Sequence, residues 1–363
     1  MADSTFYGLL VLANGRTAPP GLLPEVHLNL WEKKKKWVFE SAFLDIGLML
    51  DVSDSAQTFE FVLPWPISDL DIEDLSLRLQ DKGAIPAIFN EGWICSNSNG
   101  RAGYVTDPPK AETFTFVELG TDLQVKTHNP NTNHAQQAIS LNVPNVRVKS
   151  ASSSESAKRM YVRFRVKNVP KHFYRVSINP RDRLFLSSWQ RTEIIDFRMN
   201  VRRGVPLGFE QRVNASFIEF RKVHLFLMKS RDQDIVFEDK LFKSCRSLED
   251  EHFWANYSLA VGPNDWHKFW SRRRVKSSLG YQWTRTIEKD PITGNDMPVS
   301  EFGTLARFKN IRFGLVKFVI VAGLVGALGN MVWDAVKYRY DGSAIATKVQ
   351  VWLARTPDAE GSK

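Results

Sequence analysis

Three consecutive charged residues, Glu238, Asp239 and Lys240, follow a short apolar run and are the first place where the sequence could support catalysis. A carboxylate and a lysine at the end of a strand can hold a divalent metal ion for phosphodiester cleavage, with Asp196 or Asp232 as a further ligand. The match is only three residues long, and charged residues are common at strand ends. We therefore expect an ordinary strand end here, and a nuclease is the alternative.

Seven histidines occur, and none has the spacing of a metal site or of a catalytic base. They stand singly at His27, His128, His134, His172, His224, His252 and His267. A zinc protease would carry HExxH, a serine hydrolase GxSxG, and a nucleotide-binding protein a P-loop or GxGxxG; the sequence has none of these motifs. We expect ordinary surface or core histidines, no bound metal and no cofactor.

Asp69 and Asp71 form a second pair of carboxylates, which the chemistry of a helix start explains. Ser68 followed three residues later by Asp71 is a variant of the capping box, and negative charge is stabilised in the first turn of a helix. The sequence therefore predicts a helix from Ser68 to Lys82, with Gly83 just beyond its end. A metal-binding dyad is the competing interpretation.

The segment from residue 262 to residue 312 is rich in cations and tryptophans. Cations neutralise phosphates, while tryptophan stacks on bases or settles at a membrane interface, so nucleic acid and lipid headgroups both fit this composition. A solvated face of the preceding domain is a third interpretation. Because an apolar segment follows, we favour lipid headgroups, and the residues expected to bind an anionic partner are Trp266, Lys268, Trp270, Arg272, Arg273, Arg274 and Lys276.

Composition limits the class of protein without naming an activity. The chain has 363 residues, of which 43% are hydrophobic and 12% aromatic, which is typical of a folded protein of about two domains. Its formal net charge of +9 favours anionic partners such as nucleic acid or phospholipid. Cys95 and Cys245 lie far apart without the companions of a metal site, so we interpret them as reduced thiols in a cytosolic compartment.

An apolar segment at residues 313–336 predicts a transmembrane helix. Between Phe313 and Trp333 the only ionisable residue is Lys317. A stretch of about 20 residues at 1.5 Å each gives roughly the 30 Å of a hydrocarbon core. Lys317 lies one turn inside, where its long stem can reach the headgroups, and Trp333 lies where aromatic residues prefer the interface.

Three glycines, Gly323, Gly326 and Gly329, lie within this segment. Glycine weakens a helix in water by about 1 kcal/mol, but in a bilayer small residues let helices approach closely and associate. We expect copies of the chain to associate through these glycines. Together with Lys317 and Trp333 they form the predicted membrane and oligomerisation site.

The competing interpretation of the apolar segment is a buried helix or a pair of core strands. Beyond it, residues 345–353 alternate like a strand, with Ile345, Thr347, Val349, Val351 and Leu353 on one side. If that strand paired with the body of the protein, the apolar segment would have to turn back or lie inside the body. The sequence is compatible with both arrangements.

Short runs rich in β-branched and aromatic residues, separated by turn residues, predict a mainly β fold. In one of them, Tyr161 to Val166, apolar residues alternate with Arg163 and Arg165. We expect two β-sandwich-like or barrel-like domains with few helices, one C-terminal hydrophobic helix, and no parallel sheet, because no βαβ rhythm occurs. The predicted parts are an N-terminal β-rich domain (1–149), a serine-rich linker (150–158), a second β-rich domain (159–261), a basic aromatic juxtamembrane segment (262–312), the transmembrane helix (313–336) and a C-terminal tail (337–363).

These features together favour a non-enzymatic membrane protein. A cytosolic β-rich body would recognise a ligand, and a single-pass helix would anchor it in the lipid bilayer and assemble copies or a protein partner. In broad layout the chain resembles the sensor-plus-helix organisation of bacterial membrane effectors in phage defence, a resemblance of architecture without a shared motif that implies an antiviral role. Cations near the start of the segment, and a first segment without the basic leader of a secretory signal, predict a cytoplasmic body.

Two other classes of function stay open. The net charge and the basic aromatic segment are compatible with a nucleic-acid-binding protein or nuclease recruited to the membrane. A structural subunit of a membrane-associated complex is the third class, in which sheet edges and aromatic patches would dock other proteins.

Overall fold

We describe the fold from a computed structural model. It describes residues 8–15, 22–32, 42–81, 83–89, 94–98, 102–107, 112–128, 136–153, 157–178, 190–203, 205, 207–231, 233–248, 251–258, 278–311 and 315–353. The chain forms two compact units. The first comprises Met1–Arg181 and Arg191–Asn310, and the second comprises Asp182–Gln190 and Ile311–Lys363.

The first unit is mainly β, as predicted, and its strands are numbered in chain order. A ten-stranded sheet contains β2 (Glu25–Glu32), β3 (Ala42–Asp51), β5 (Ile72–Asp74), β6 (Ile94–Ser98), β7 (Ala102–Asp107), β8 (Glu112–Val117), β11 (Arg159–Val169), β14 (Lys222–Ser230), β16 (Phe242–Ser247) and β17 (Ser278–Thr286). A four-stranded sheet contains β1 (Leu10–Asn14), β4 (Thr58–Val62), β9 (Leu123–His128) and β10 (Gln136–Asn142). The second four-stranded sheet contains β12 (Arg175–Ile178), β13 (Gln190–Met199), β15 (Gln233–Glu238) and β20 (Phe302–Ile311). In addition, β18 (Glu288–Lys289) pairs with β19 (Asp296–Met297).

The ten-stranded sheet is mixed, which corrects the expectation that parallel pairing is absent. Its order is β16-β17-β14-β2-β3-β11-β8-β7-β6, and β5 pairs with β11. The pairs β14–β2 and β11–β8 are parallel. They join strands far apart in sequence, so no short βαβ repeat marks them. The sheet takes strands from both sides of the predicted linker at residues 150–158.

The helices are α1 (Ser76–Leu79), α2 (Ala84–Phe89), α3 (Val143–Ser153), α4 (Leu207–Ser216), α5 (Glu251–Ser258) and α6 (Leu315–Leu353). The helix predicted from Ser68 to Lys82 is wrong in extent. Its start forms the capping box, but only as a 3-10 turn over Asp69–Asp71, after which β5 pairs with β11 before α1 begins. A strand partner supplied from far along the chain therefore overrides the local helical preference.

The main core lies between the ten-stranded sheet and the two four-stranded sheets. On β4, Phe59 and Phe61 enter this core while Glu60 points to the other face, the period-2 alternation of a strand. The second face of the ten-stranded sheet is covered by α1, α2 and α5, with Trp31 and Trp254 among its buried aromatics. Helix α4 covers part of the outer face of β1 and β4 through Val213.

Helix α6 is continuous, which corrects the strand predicted at 345–353. A helix satisfies its own backbone hydrogen bonds, so the alternating residues need no sheet to pair with. Among the described residues, no helix joins sufficient length with sufficient apolar character to cross a bilayer. The transmembrane helix predicted at 313–336, and with it the single-pass assignment, is therefore unsupported; Asp334, Lys337 and Arg339 follow the apolar stretch within two turns.

Candidate functional site

Helix α6 exposes apolar side chains on all sides between Val319 and Trp333, a stretch without an ionisable residue. Val319, Leu328, Met331 and Trp333 are 60%, 60%, 69% and 69% exposed. Successive residues of a helix are rotated by about 100°, so this set leaves no polar face. A helix with apolar residues on every side is normally buried in lipid or in protein. We therefore expect lipid or another protein surface to bury this stretch.

The predicted glycines lie in this stretch at a spacing of three residues. Within the described part of the chain, no atom other than those of the neighbouring residues and the helix's own backbone lies within 4 Å of the position that a Cβ would take at Gly323, Gly326 or Gly329. Trp333 shares the same stretch and is exposed, whereas the side chain of Lys317 lies outside the described residues. The structure thus places the described members of this predicted site together on one helix.

The predicted anionic-partner residues, Trp266, Lys268, Trp270, Arg272, Arg273, Arg274 and Lys276, lie outside the described residues. From Ser278 onward, the predicted basic segment at residues 262–312 forms β17, β18, β19 and β20. Helix α5 ends before the predicted anionic-partner residues, at Ser258, and β17 begins after them, at Ser278. Both of these neighbours belong to the ten-stranded sheet or its helical cover. Binding by the basic segment stays a prediction.

The Glu238–Asp239–Lys240 run holds a turn together in the structure. The carboxylate of Asp239 accepts hydrogen bonds from the backbone N–H of Leu241 at 2.9 Å and of Leu305 at 2.7 Å. Asp196 pairs with Arg198, at 2.5 Å between Oδ2 and Nη2. Asp232 lies outside the described residues. Within the described part of the chain, no three His, Cys, Asp or Glu side chains lie close enough together to hold a metal ion.

Two histidines meet inside the body although they are far apart in sequence. His27 on β2 and His224 on β14 occupy paired positions of the parallel strands, with ring centroids 5.1 Å apart. His224 Nδ1 lies 2.9 Å from Thr284 Oγ1, and His27 Nε2 lies 3.9 Å from Glu25 Oε2. Burial lowers the pKa of His224 to about 2 and holds the pKa of His27 well below its usual value.

A cluster of charges is buried on the helix-covered face of the ten-stranded sheet. Arg163 and Arg165 of β11 face Asp45 of β3, and all three are 2% exposed or less. Arg163 Nε donates to Tyr257 Oη at 2.6 Å, and Arg165 Nη2 donates to the Tyr257 carbonyl at 3.2 Å. The alternation of apolar and charged residues in the sequence is present in β11. Its charged face, however, packs against helix α5 and is not exposed to solvent.

A third arginine reaches the same end of α5. Arg78 of α1 donates to the carbonyls of Asn256 and Tyr257 and pairs with Glu73. The C-terminal carbonyls of a helix carry partial negative charge, which the guanidinium groups of Arg78 and Arg165 stabilise here. This cluster therefore attaches the helix that precedes the basic segment to the sheet.

A fourth buried cation joins the ten-stranded sheet to the second four-stranded sheet. Lys229 Nζ lies 2.8 Å from Glu32 Oε2 and 3.0 Å from Glu193 Oε2, and Arg175 pairs with the same two carboxylates at 3.1 and 3.4 Å. Two cations and two carboxylates alternate, so the charges compensate one another away from water. No sequence pattern predicted this cluster, because its members come from four separate strands.

Comparison with known proteins identifies no relative. No family model and no curated protein matches the chain. Among solved structures, an M1 zinc metallopeptidase from Deinococcus radiodurans aligns with a TM-score of 0.22 and 11% identity, over 83% of this chain and 42% of that one. The Fcho1 Mu homology domain of Danio rerio with bound Eps15 peptide gives 0.14 and 6%, over 85% and 82%. Both TM-scores are too low to establish a shared fold, and the chain spans less than half of the metallopeptidase.

Proposed function

We propose that the chain is a non-enzymatic recognition protein that associates with a lipid bilayer through helix α6. The observation that carries the proposal is the apolar stretch from Val319 to Trp333, which is exposed on every side of the helix. Burial of apolar surface contributes about 25 cal/mol per Å², and lipid tails can cover all sides of a helix at once. A single protein groove would cover only one side.

Copies of the chain associate through the glycine-containing side of the same helix in this proposal. Because nothing fills the space beside Gly323, Gly326 and Gly329, a second helix can approach the backbone there. The cations among the predicted anionic-partner residues, Lys268, Arg272, Arg273, Arg274 and Lys276, add attraction to anionic headgroups, at about 1 kcal/mol per cation near the surface. The β-rich body then lies next to the membrane and is available for recognition.

Flotation with vesicles tests the association with lipid. The natural full chain is mixed with vesicles of phosphatidylcholine and phosphatidylserine. A variant of the full chain that carries Val325→Asp and Leu328→Asp is treated in the same way. An aspartate in the middle of an inserted helix costs about 3 kcal/mol, so the variant is expected to stay in the dense fraction while the natural chain floats.

The matched control carries Tyr338→Asp and Tyr340→Asp, which add the same charge to exposed positions in the polar half of α6. It is expected to float. A natural chain that stays in the dense fraction with all vesicles would overturn the proposal. Crosslinking on the vesicles then compares the natural chain with Gly326→Leu, for which we expect flotation without the crosslinked dimer.

A further inference from the structure

The outer face of the sheet formed by β1, β4, β10 and β9 changes character along its strands. At one end Leu10, Val62 and Ala138 pack in one buried cluster with Val213 of α4. Towards the other end the same face becomes polar: Glu60 pairs with Ser140 across the β4–β10 ladder, and Ser140 pairs with Gln124 across the β10–β9 ladder. Side chains at paired positions point to the same side of a sheet, so these polar groups line one surface.

A cleft of about 210 Å³ lies on this polar surface. The turn at residues 120–122 and the start of α3 close it at the sides. Every side chain that lines it is polar: Thr58, Thr121, Asp122, Gln124, Lys126, Ser140, Asn142 and Asn145. At roughly 30 Å³ per water, the cleft holds a molecule the size of about seven waters.

Like Asp122, Ser140 is a buried polar residue of the cleft. The residue is only 3% exposed, and within the described part of the chain its hydroxyl group makes no hydrogen bond. The hydroxyl oxygen is not fully enclosed, because it opens into the cleft, so it is available to bind a ligand or a water. Ser140 therefore points to a bound polar molecule.

The charges around the cleft indicate the sign of that molecule. Asp122 is neutralised by Lys149, at 2.6 Å between Oδ2 and Nζ, and also accepts a hydrogen bond from Asn145 at 2.8 Å. Glu60, which pairs with Ser140 across the β4–β10 ladder, accepts two hydrogen bonds of 2.6 Å from Arg212. Lys126 forms no ion pair with any described residue and is exposed at the rim. The cleft thus offers one uncompensated positive charge.

From these observations we propose that the cleft binds a small hydroxylated anion of the sugar-phosphate class. Lys126 takes the anionic group, because an ammonium is a compact charge that binds phosphate well. Ser140 and the amide and hydroxyl groups of Thr58, Gln124 and Asn142 bind the hydroxyls of the ligand. The site lies in the first unit and stands independently of helix α6 and of the membrane proposal.

Calorimetric titration of the full chain with ribose 5-phosphate and glucose 6-phosphate tests this assignment, with ribose, glucose and inorganic phosphate as separate arms. We expect saturable binding of at least one sugar phosphate, tighter than that of either component alone. Lys126→Met is expected to weaken it at least about tenfold, since a charged hydrogen bond is lost. The control Lys289→Met removes an exposed lysine on β18 and is expected to leave the affinity unchanged.

Ser140→Ala separates a ligand-binding role from a structural one. We expect this variant to bind several-fold more weakly while its melting temperature in the free state stays equal or rises, because the hydroxyl has no partner among the residues that the structure describes. Absence of saturation with both sugar phosphates would overturn the proposal. Equal affinity for inorganic phosphate, or an affinity insensitive to both Lys126→Met and Ser140→Ala, would overturn it as well.

Discussion

Arg165 Nε donates a hydrogen bond to Asp45 Oδ1 at 2.6 Å, and Arg165 Nη2 donates a second to Oδ2 at 3.1 Å. The pair joins β11 to β3 in the middle of the ten-stranded sheet, where neither side chain reaches solvent. Arg163 lies on the same face, 3.8 Å from the same carboxylate. Asp45 is therefore the negative charge shared by two buried guanidinium groups.

Replacement of this carboxylate should destabilise the fold strongly. Asp45→Asn leaves both arginines buried without their counter-ion, which we expect to lower the free energy of unfolding by about 3–5 kcal/mol. Chemical denaturation monitored by tryptophan fluorescence measures the change. Asp196→Asn is the control, because its pair with Arg198 is largely exposed and should contribute less than about 1 kcal/mol. Equal effects of the two substitutions would contradict the prediction.

Gly47 is required by the arginine cluster rather than by its own backbone. A Cβ at this position of β3 would overlap Tyr161 Oη and lie 2.8 Å from Tyr161 Cζ and 3.0 Å from Arg163 Nη1. We expect Gly47→Ala to lower the free energy of unfolding by about 1–3 kcal/mol through overpacking. Gly303→Ala in β20 is the matched control, since no atom lies within 4 Å of its Cβ position. Thermal melts that rank the two variants in the opposite order would refute this explanation.

The histidine pair predicts a loss of stability in mild acid. Burial lowers the pKa values of both His27 and His224 in the folded chain. The positive charge of Arg163 lowers the pKa of His27 further and that of Lys222 lowers both, whereas the negative charge of Glu25 raises the pKa of His224. Below about pH 6.5 the unfolded chain therefore binds protons that the folded chain does not. Each histidine is expected to reduce the free energy of unfolding by up to about 1.4 kcal/mol per pH unit as the pH falls.

Denaturation of the natural chain and of His224→Gln between pH 7.5 and about pH 5 measures this contribution. The natural chain should lose stability more steeply than the variant over that range. His172→Gln, at an exposed position, serves as the control and should follow the natural chain. Parallel curves for the natural chain and His224→Gln would show that the pair does not cause the acid sensitivity.

The basic segment supports a prediction that separates lipid from nucleic acid as its partner. Arg272→Glu, Arg273→Glu and Arg274→Glu together should weaken binding to anionic vesicles by at least about 100-fold, since each cation near the surface contributes about 1 kcal/mol. A triple variant of exposed lysines elsewhere, Lys158, Lys243 and Lys289 to Glu, is the control for net charge. If salt-dependent DNA binding is lost instead and vesicle binding is kept, the nucleic-acid class is favoured.

The sequence predicted those features that depend on neighbours along the chain. The β-rich composition, the period-2 alternation of β11, and the capping interaction of Ser68 with Asp71 all involve residues within a few positions of one another, and the structure shows each of them. Cys95 and Cys245 are not joined by a disulfide in the structure. The apolar stretch of α6 was also recognised in the sequence. The continuation of the helix to Leu353 was not predicted.

Tertiary structure alone decided which strands pair and which polar faces are covered. Arg163 and Arg165 alternate with apolar residues in the manner of a solvated face, yet α5, nearly a hundred residues further along the chain, buries them. The helix predicted from Ser68 was cut short by pairing with β11, and the cleft around Ser140 combines three strands and a helix start. Local periodicity shows only whether one side of a helix or strand is apolar or polar. Whether that side is buried depends on which distant element packs against it. Contacts between elements that are distant in sequence leave no regular spacing of residues along the chain.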